Sequence, residues 1–267
     1  MKDDNRPIGV FDSGLGGLTV LRSLKETFAN ESFIYFGDTA RLPYGTKSQE
    51  TIIRYSKEIC DFLNKKDVKL IIVACNTASA LAMKFLKSYL EVPIINVIDP
   101  CVDFASKATK NNFIGVIGTQ ATINSKAYDK KLDKINSNFK IISQECSLFV
   151  PLIEEGFIKH QITKEVCRFY LNKKSFQKID VLIMGCTHYP ILLDSIKQHF
   201  PDNTTIVDSA ITVATYIKQL FDNNSVFKAS QKTQNIKYYL SDKSIEFNKL
   251  ATVFLKTNSL DIEYIKL

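Results

Sequence analysis

The sequence predicts an α/β protein made of two similar doubly wound lobes, and three observations carry that expectation. The first is LIIVACNTA, Leu70 to Ala78, an apolar run that stops abruptly on Cys75-Asn76-Thr77. A run of strand length without polar alternation reads as a strand buried on both faces, as in a parallel sheet. The second is the return of this phrase as VLIMGCTHY, Val181 to Tyr189, which sets Cys186 in register with Cys75 at a spacing of 111 positions. The third is IGVFDSG, Ile8 to Gly14, echoed by IGVIGTQ, Ile114 to Gln120, at a spacing of 106. Two pairs of matching segments at nearly equal spacing imply a duplicated unit, too degenerate for the solenoid class.

Taken in order, Ile8 to Phe11 is a short apolar strand, followed by DSGLGG, Asp12 to Gly17, and by Leu18, Leu21, Leu24 and Phe28 at helical spacing. A small-residue loop at a helix N-terminus offers free backbone N–H groups to an anion. The string is neither a P-loop nor a dinucleotide fingerprint, and it reads equally well as a structural turn in which Asp12 caps the helix. Phe33 to Phe36 is a second strand, leading into GDTARLPYGTKS, Gly37 to Ser48, a loop at a strand end where function collects. Pro43-Tyr44-Gly45 within it has the composition of a plain turn. Ser48 is placed to cap a helix whose apolar face is Ile52, Tyr55, Ile59, Phe62 and Leu63, with Cys60 packing beside it.

After Cys75 a helix is expected over Ala78 to Leu90, then a strand over Ile94 to Ile98. Regular alternation of strand and helix predicts a parallel sheet with helices on both faces. Towards the end, Ile206 and Val207 lead through Asp208-Ser209-Ala210 into a helix containing Ile217 and Leu220, and Lys237 to Asp242 is a late strand.

Composition limits the function classes. At 267 residues and 45% hydrophobic content the chain can bury a substantial core. MKDDNRPIGV has no apolar signal region and no run approaches the ~20 residues of a membrane helix, so a cytoplasmic protein with six reduced cysteines is expected. The net charge of +7 is spread over lysines with acids interspersed, the pattern of a solvated surface; nucleic acid is not the expected partner, and a small anionic substrate is favoured weakly.

In open α/β sheets ligands bind at the carboxyl ends of the strands. Two lobes facing each other would therefore set Cys75 and Cys186 on opposite walls of one cleft. A disulfide fits a reducing compartment poorly, zinc would need further ligands at an unusual spacing, and a single nucleophile explains one thiol but not two. Two-base proton transfer at a carbon explains both: one thiolate removes a proton while the opposing thiol delivers one to the other face. Groups beside each sulfur then decide its ionisation; Asp12 and His188 are the candidates, although His188 also reads as a packed loop histidine. Cys101, Cys146, Cys167, His160 and His199 lack such a context and read as structural or surface residues.

DSGLGG at Asp12, GDTARLPYG at Gly37, ACNTAS at Ala74, PLIEEG at Pro151 and GCTHYP at Gly185 together closely resemble the glutamate racemases of the aspartate/glutamate racemase superfamily. The resemblance implies two pseudo-symmetric parallel-sheet domains with the active site in the cleft between them. The first domain is then discontinuous, 1–98 plus 206–267, and the second is 99–205. It implies interconversion of L- and D-glutamate without cofactor or metal, supplying D-glutamate to peptidoglycan and so to cell-wall biogenesis and cell shape, by a protein that forms a homodimer. Carried over, Cys75 is the base toward D-glutamate and Cys186 the base toward L-glutamate, with Asp12 assisting Cys75, and Glu154 and His188 assisting Cys186. From its sequence alone Glu154 is the exposed end of a helix. The substrate would be held by Asp12 and Ser13, by Tyr44 and Gly45 with Asp38 nearby, by Asn76 and Thr77, and by Thr119, Thr187 and His188. The alternatives are an aspartate or hydantoin racemase of the same superfamily, or a DNA- or protein-binding role for the basic surface.

Overall fold

The structure, a computed structural model, describes residues 4–223, 229, 234–243, 245–255 and 260–267. The chain runs through β1 (Ile8–Asp12), α1 (Gly17–Thr27), β2 (Phe33–Gly37), α2 (Gln49–Lys65), β3 (Leu70–Val73), α3 (Asn76–Leu81), α4 (Met83–Tyr89) and β4 (Ile94–Asn96). It continues through α5 (Ile98–Ala108), β5 (Phe113–Gly118), α6 (Gln120–Asn124), α7 (Ala127–Ile135), β6 (Lys140–Glu145), α8 (Phe149–Glu154), α9 (Gln161–Leu171), β7 (Val181–Gly185), α10 (Leu193–Lys197) and β8 (Thr205–Asp208). Helix α11 (Ser209–Asn223) then leads to β9 (Ile236–Leu240), α12 (Ile245–Leu255) and β10 (Ile262–Tyr264).

The strands form two parallel sheets, ordered β10-β9-β2-β1-β3-β4 and β6-β5-β7-β8. The segments β2-β1-β3-β4 and β6-β5-β7-β8 have the same order, which makes the duplication read from the sequence a duplication of topology. In each, the first and third strands lie side by side where the winding reverses, with Ile8 opposite Leu70 and Ile114 opposite Val181. Their carboxyl ends flank the switch point, the expected ligand position in such sheets.

Strand residues alternate between faces, and the faces sort the core. Phe11, Phe36, Ile71 and Val73 pack against Ile52, Ile59 and Leu63 of α2 and Leu86 of α4. Val10, Tyr35 and Ile72 face the other way, onto Leu18, Leu21 and Leu24 of α1, and this core continues without a break to Leu182 and Met184 of β7. Ile114, Val116, Ile183 and Val207 form a third layer with α5 and α7. One apolar core is therefore shared between the sheets, with α11 packed against both α1 and α5. Among the described residues no helix is long and apolar enough to cross a membrane.

Two expectations are corrected by local hydrogen bonding. The helix expected over Ala78 to Leu90 begins earlier, at Asn76, because Cys75 caps it, and it breaks at Ala82, where the carbonyl of Leu81 accepts from Gln49 Nε2 at 3.1 Å. The strand expected to reach Ile98 stops at Asn96, whose Oδ1 accepts from the N–H groups of Ile98 and Asp99 at 2.8 and 2.9 Å and so opens α5. Strand β8 belongs to the second sheet, with Ile206 opposite Leu182. The return toward the first sheet is made by α11.

Candidate active site

The two strand-end cysteines line one cavity of about 340 Å³ between the sheets, on the side of the switch points. Cys75 follows β3 and is 5% exposed; its sulfur accepts from the N–H of Ala78 at 3.5 Å and lies 3.7 Å from Ser13 Oγ. Cys186 follows β7, is also 5% exposed, and its sulfur is 3.9 Å from His188 Nδ1. Parallel strands bring the two sulfurs to the same depth because each ends an equivalent third strand.

Ser13, Tyr44, Gly45, Asn76, Thr77, Thr119, Thr187 and His188 all line the cavity, as does Glu154. Thr77 and Thr119 meet across it, their Oγ1 atoms 3.0 Å apart, and Thr122 adds its hydroxyl 3.0 Å from Thr119. Among the described lining residues there is no Lys or Arg; hydroxyls, amides, backbone N–H groups and His188 are what an anionic ligand could bind, while Glu154 and Glu155 put two carboxylates on one wall.

Asp12 and Asp38 are fully buried and lie behind the lining. Asp12 Oδ2 accepts from Gly14 N at 3.0 Å, while its Oδ1 is buried with no hydrogen-bond partner among the described residues. Asp38 accepts from the hydroxyl of Tyr44, from Arg41 Nε at 2.7 Å and from Ser241 Oγ at 2.8 Å. It acts on the cleft by fixing Tyr44.

The electrostatics of the two sulfurs differ. Burial, reinforced by the charge of Asp12, pushes the Cys75 thiol from 9.0 up to about 12, against the opposite pull of the Ala78 N–H and the Ser13 hydroxyl. His188 is buried too, which by itself would lower its pKa. Hydrogen bonds to Cys186 and to Glu154, whose Oε1 is 3.0 Å from Nε2, outweigh this and carry it from 6.5 to about 10. With Cys186 ionised, the imidazole is held as a cation between a thiolate and a carboxylate.

The glycines of DSGLGG make this approach of the lobes possible. A Cβ on Gly16 would stand 2.3 Å from Thr187 Oγ1 and 2.4 Å from His188 Nδ1, and one on Gly17 would stand 2.4 Å from Asp12 Cβ. Thr19 Oγ1 completes the contact by donating to the Thr187 carbonyl at 3.1 Å. Sequence reasoning missed Thr122 and Tyr128. Thr122 was signalled only by its place three residues after the capping Thr119; Tyr128 has the pattern of an ordinary buried helical residue.

The fold and cleft define a class: a duplicated α/β protein that presents one buried thiol from each half to a shared cavity ringed by small hydroxyl and amide side chains. Residues 8–217 match the family model described as Asp/Glu/Hydantoin racemase. The chain is 40% identical to a glutamate racemase of Geobacter metallireducens over 98% of its own length and 97% of the relative's, and 46% identical to one of Persephonella marina over 91% of each. A crystal structure of glutamate racemase from Francisella tularensis in complex with D-glutamate superposes with a TM-score of 0.91 at 38% identity, covering 98% of both chains. The chain belongs to the Asp/Glu/Hydantoin racemase family.

Proposed function

We propose that this protein interconverts L- and D-glutamate by two-base proton transfer at the α-carbon, with Cys75 and Cys186 as the paired acid and base. The observation that carries the reading is the pair of buried thiols at equivalent strand ends on one cavity; the names of the full-length relatives supply the substrate.

In one direction a Cys186 thiolate removes the proton of L-glutamate while the Cys75 thiol protonates the opposite face; the other direction exchanges the roles. Cys75, raised to about 12, rests as the thiol, the form needed to donate. The His188 cation, held by Glu154, faces Cys186 and offers its charge to that sulfur when it is ionised. Asp12 Oδ1, buried and unpartnered among the described residues, is available to the substrate ammonium or to the Cys75 proton. Charge developing at the α-carbon must be met by fixed dipoles in a cavity that excludes water, a role for Ser13, Asn76, Thr77, Thr119 and Thr187, with Tyr44 and Gly45 closing the wall. The product suits peptidoglycan synthesis in the cytoplasm, and a homodimer is the proposed assembly, with a first domain comprising the outer parts of the chain and a second centred on β5 to β8.

The test is incubation of metal-stripped protein with L-glutamate in D₂O, following optical rotation and deuterium at Cα. Loss of rotation with deuterium uptake is expected for glutamate and not aspartate, with either Cys75→Ala or Cys186→Ala lowering turnover by at least ~10³-fold. No exchange from folded, reduced wild type would overturn the reading. A variant lacking either sulfur yet retaining turnover would overturn the two-base mechanism.

A further inference from the structure

We infer that Tyr128 is a positioning residue for the reaction, fixing the side-chain amide of Asn76 so that its NH₂ group faces the substrate. The inference rests on the glutamate racemase reading and extends it to a residue outside the cavity lining. Tyr128 stands in the first turn of α7, in the half that carries Cys186, and is 1% exposed. Its hydroxyl donates to Asn76 Oδ1 at 2.6 Å, across to the residue that follows Cys75.

A phenol carries one proton, and at 2.6 Å from Oδ1 that proton belongs to the Asn76 carbonyl. With that proton donated to Oδ1, the amide takes the orientation that turns Nδ2 away from the phenol; in the flipped orientation Nδ2 would donate to the phenol and Oδ1 would take the unpartnered place. Its Nδ2 is buried without a hydrogen-bond partner among the described residues, while Asn76 lines the cavity. A buried, unpartnered donor at a ligand site is costly unless a ligand supplies the acceptor, and a glutamate carboxylate is such an acceptor. Burial holds Tyr128 well above its ordinary ionisation near 10, so the hydroxyl remains a donor throughout the useful pH range.

The ring is held as firmly as the hydroxyl. It packs on the backbone of Gly185, where an added Cβ would come within 3.1 Å of Cε2. Behind the hydroxyl lies the Cys101 thiol, itself 3.1 Å from Thr212 Oγ1. One rigid side chain thus touches the strand end that carries Cys186 and the amide beside Cys75.

Tyr128→Phe keeps the ring and removes only the donor. The carboxylate is bound in both directions, so kcat/KM should fall roughly tenfold for each isomer, chiefly through KM. In an Asn76→Ala background the same change should have no further effect, because the amide it orients is gone. An unchanged KM in Tyr128→Phe, or an equal loss in the Asn76→Ala background, would overturn the inference while leaving the racemase reading intact. Absence of turnover in wild type would instead overturn that reading. Should Tyr128→Phe not fold, wild type still decides: the Nδ2 protons of Asn76, identified by their loss in Asn76→Ala, must shift in NMR spectra as glutamate is titrated in. Glutamate binding with no such shift overturns the inference.

Discussion

The two strand ends that carry the thiols share a topology and differ in chemistry. β1 ends at Asp12 and β3 leads to Cys75; their equivalents β5 and β7 end at Gly118 and lead to Cys186. After the cysteines, Asn76-Thr77 on one side corresponds to Thr187-His188 on the other. Cys75 therefore has its charged neighbour on the adjacent strand, an acid that raises it, whereas Cys186 has its own two residues further along the same turn, a cation backed by Glu154. Duplication supplied two places for a thiol, and divergence at one position per lobe supplied opposite charges. Each direction of the reaction must begin with one sulfur protonated and the other ionised, and the two directions exchange those roles, so each side carries its own group beside its sulfur.

The largest expected effect of disturbing these groups comes from His188→Asn, which removes the cation and keeps the side chain polar. Loss of an acid–base partner of this kind lowers kcat by about 10²-fold or more. Enantiomers have equal free energy, so kcat/KM must fall equally in both directions; the asymmetry appears in isotope effects. With substrate deuterated at the α-carbon, the primary effect should grow for the isomer deprotonated by Cys186, L-glutamate in the proposed assignment, and shrink for the other. Asp12→Asn should show the mirror image. Equal isotope effects from both isomers in both variants would mean that the two sides are not specialised.

A smaller effect is expected where the sides touch. Gly16→Ala places a methyl group into Thr187 Oγ1 and His188 Nδ1, and the imidazole cannot retreat because Glu154 holds it. Overpacking of this sort costs about 1–3 kcal/mol, and denaturant titration should find that loss together with reduced turnover as His188 is pushed from Cys186. Full stability and activity in Gly16→Ala would show that the lobes have more room between them than the contact distances imply.

Much of this was legible before any coordinates. The apolar runs ending in cysteine marked the third strands, because burial on both faces leaves an unmistakable stretch such as LIIV or VLIM, and the paired spacings announced the duplication. Asp12 and His188 sit at those strand ends and came with them, whereas Ser13, Tyr44, Gly45, Asn76, Thr77, Thr119, Glu154 and Thr187 rested on the resemblance alone. What escaped was whatever depends on a partner distant in sequence. Asp38 looked like a ligand contact, and its attachment to Tyr44 and Ser241 needed the late strand β9 to be in place. Tyr128 had no signal, since an aromatic on a helix face is ordinary core until its hydroxyl is seen to reach Asn76. Which sheet β8 joins was not legible either, because a four-residue strand entering a helix has no mark of its partner.

The smallest effect is also the one that separates the two sides by pH. His188 binds its proton more tightly when folded, at about 10 against an ordinary 6.5, so its contribution to stability is complete below 6.5 and is lost as pH rises through 10. Cys75, raised from 9.0 to about 12, has the same sign in a later window: its contribution is intact below 9.0 and is lost as pH approaches 12. Thermal unfolding of wild type should therefore weaken in two stages on the alkaline side. His188→Asn should flatten the stage between 6.5 and 9.0 and leave the later one. Cys75→Ser should reduce only the later stage, and only in part, because Cys60, Cys101, Cys146 and Cys167 are likewise raised by burial from 9.0 and share that window. A first stage that persists in His188→Asn would mean that the imidazole is not the group held as a cation, and with it would go the charge asymmetry between the two thiols.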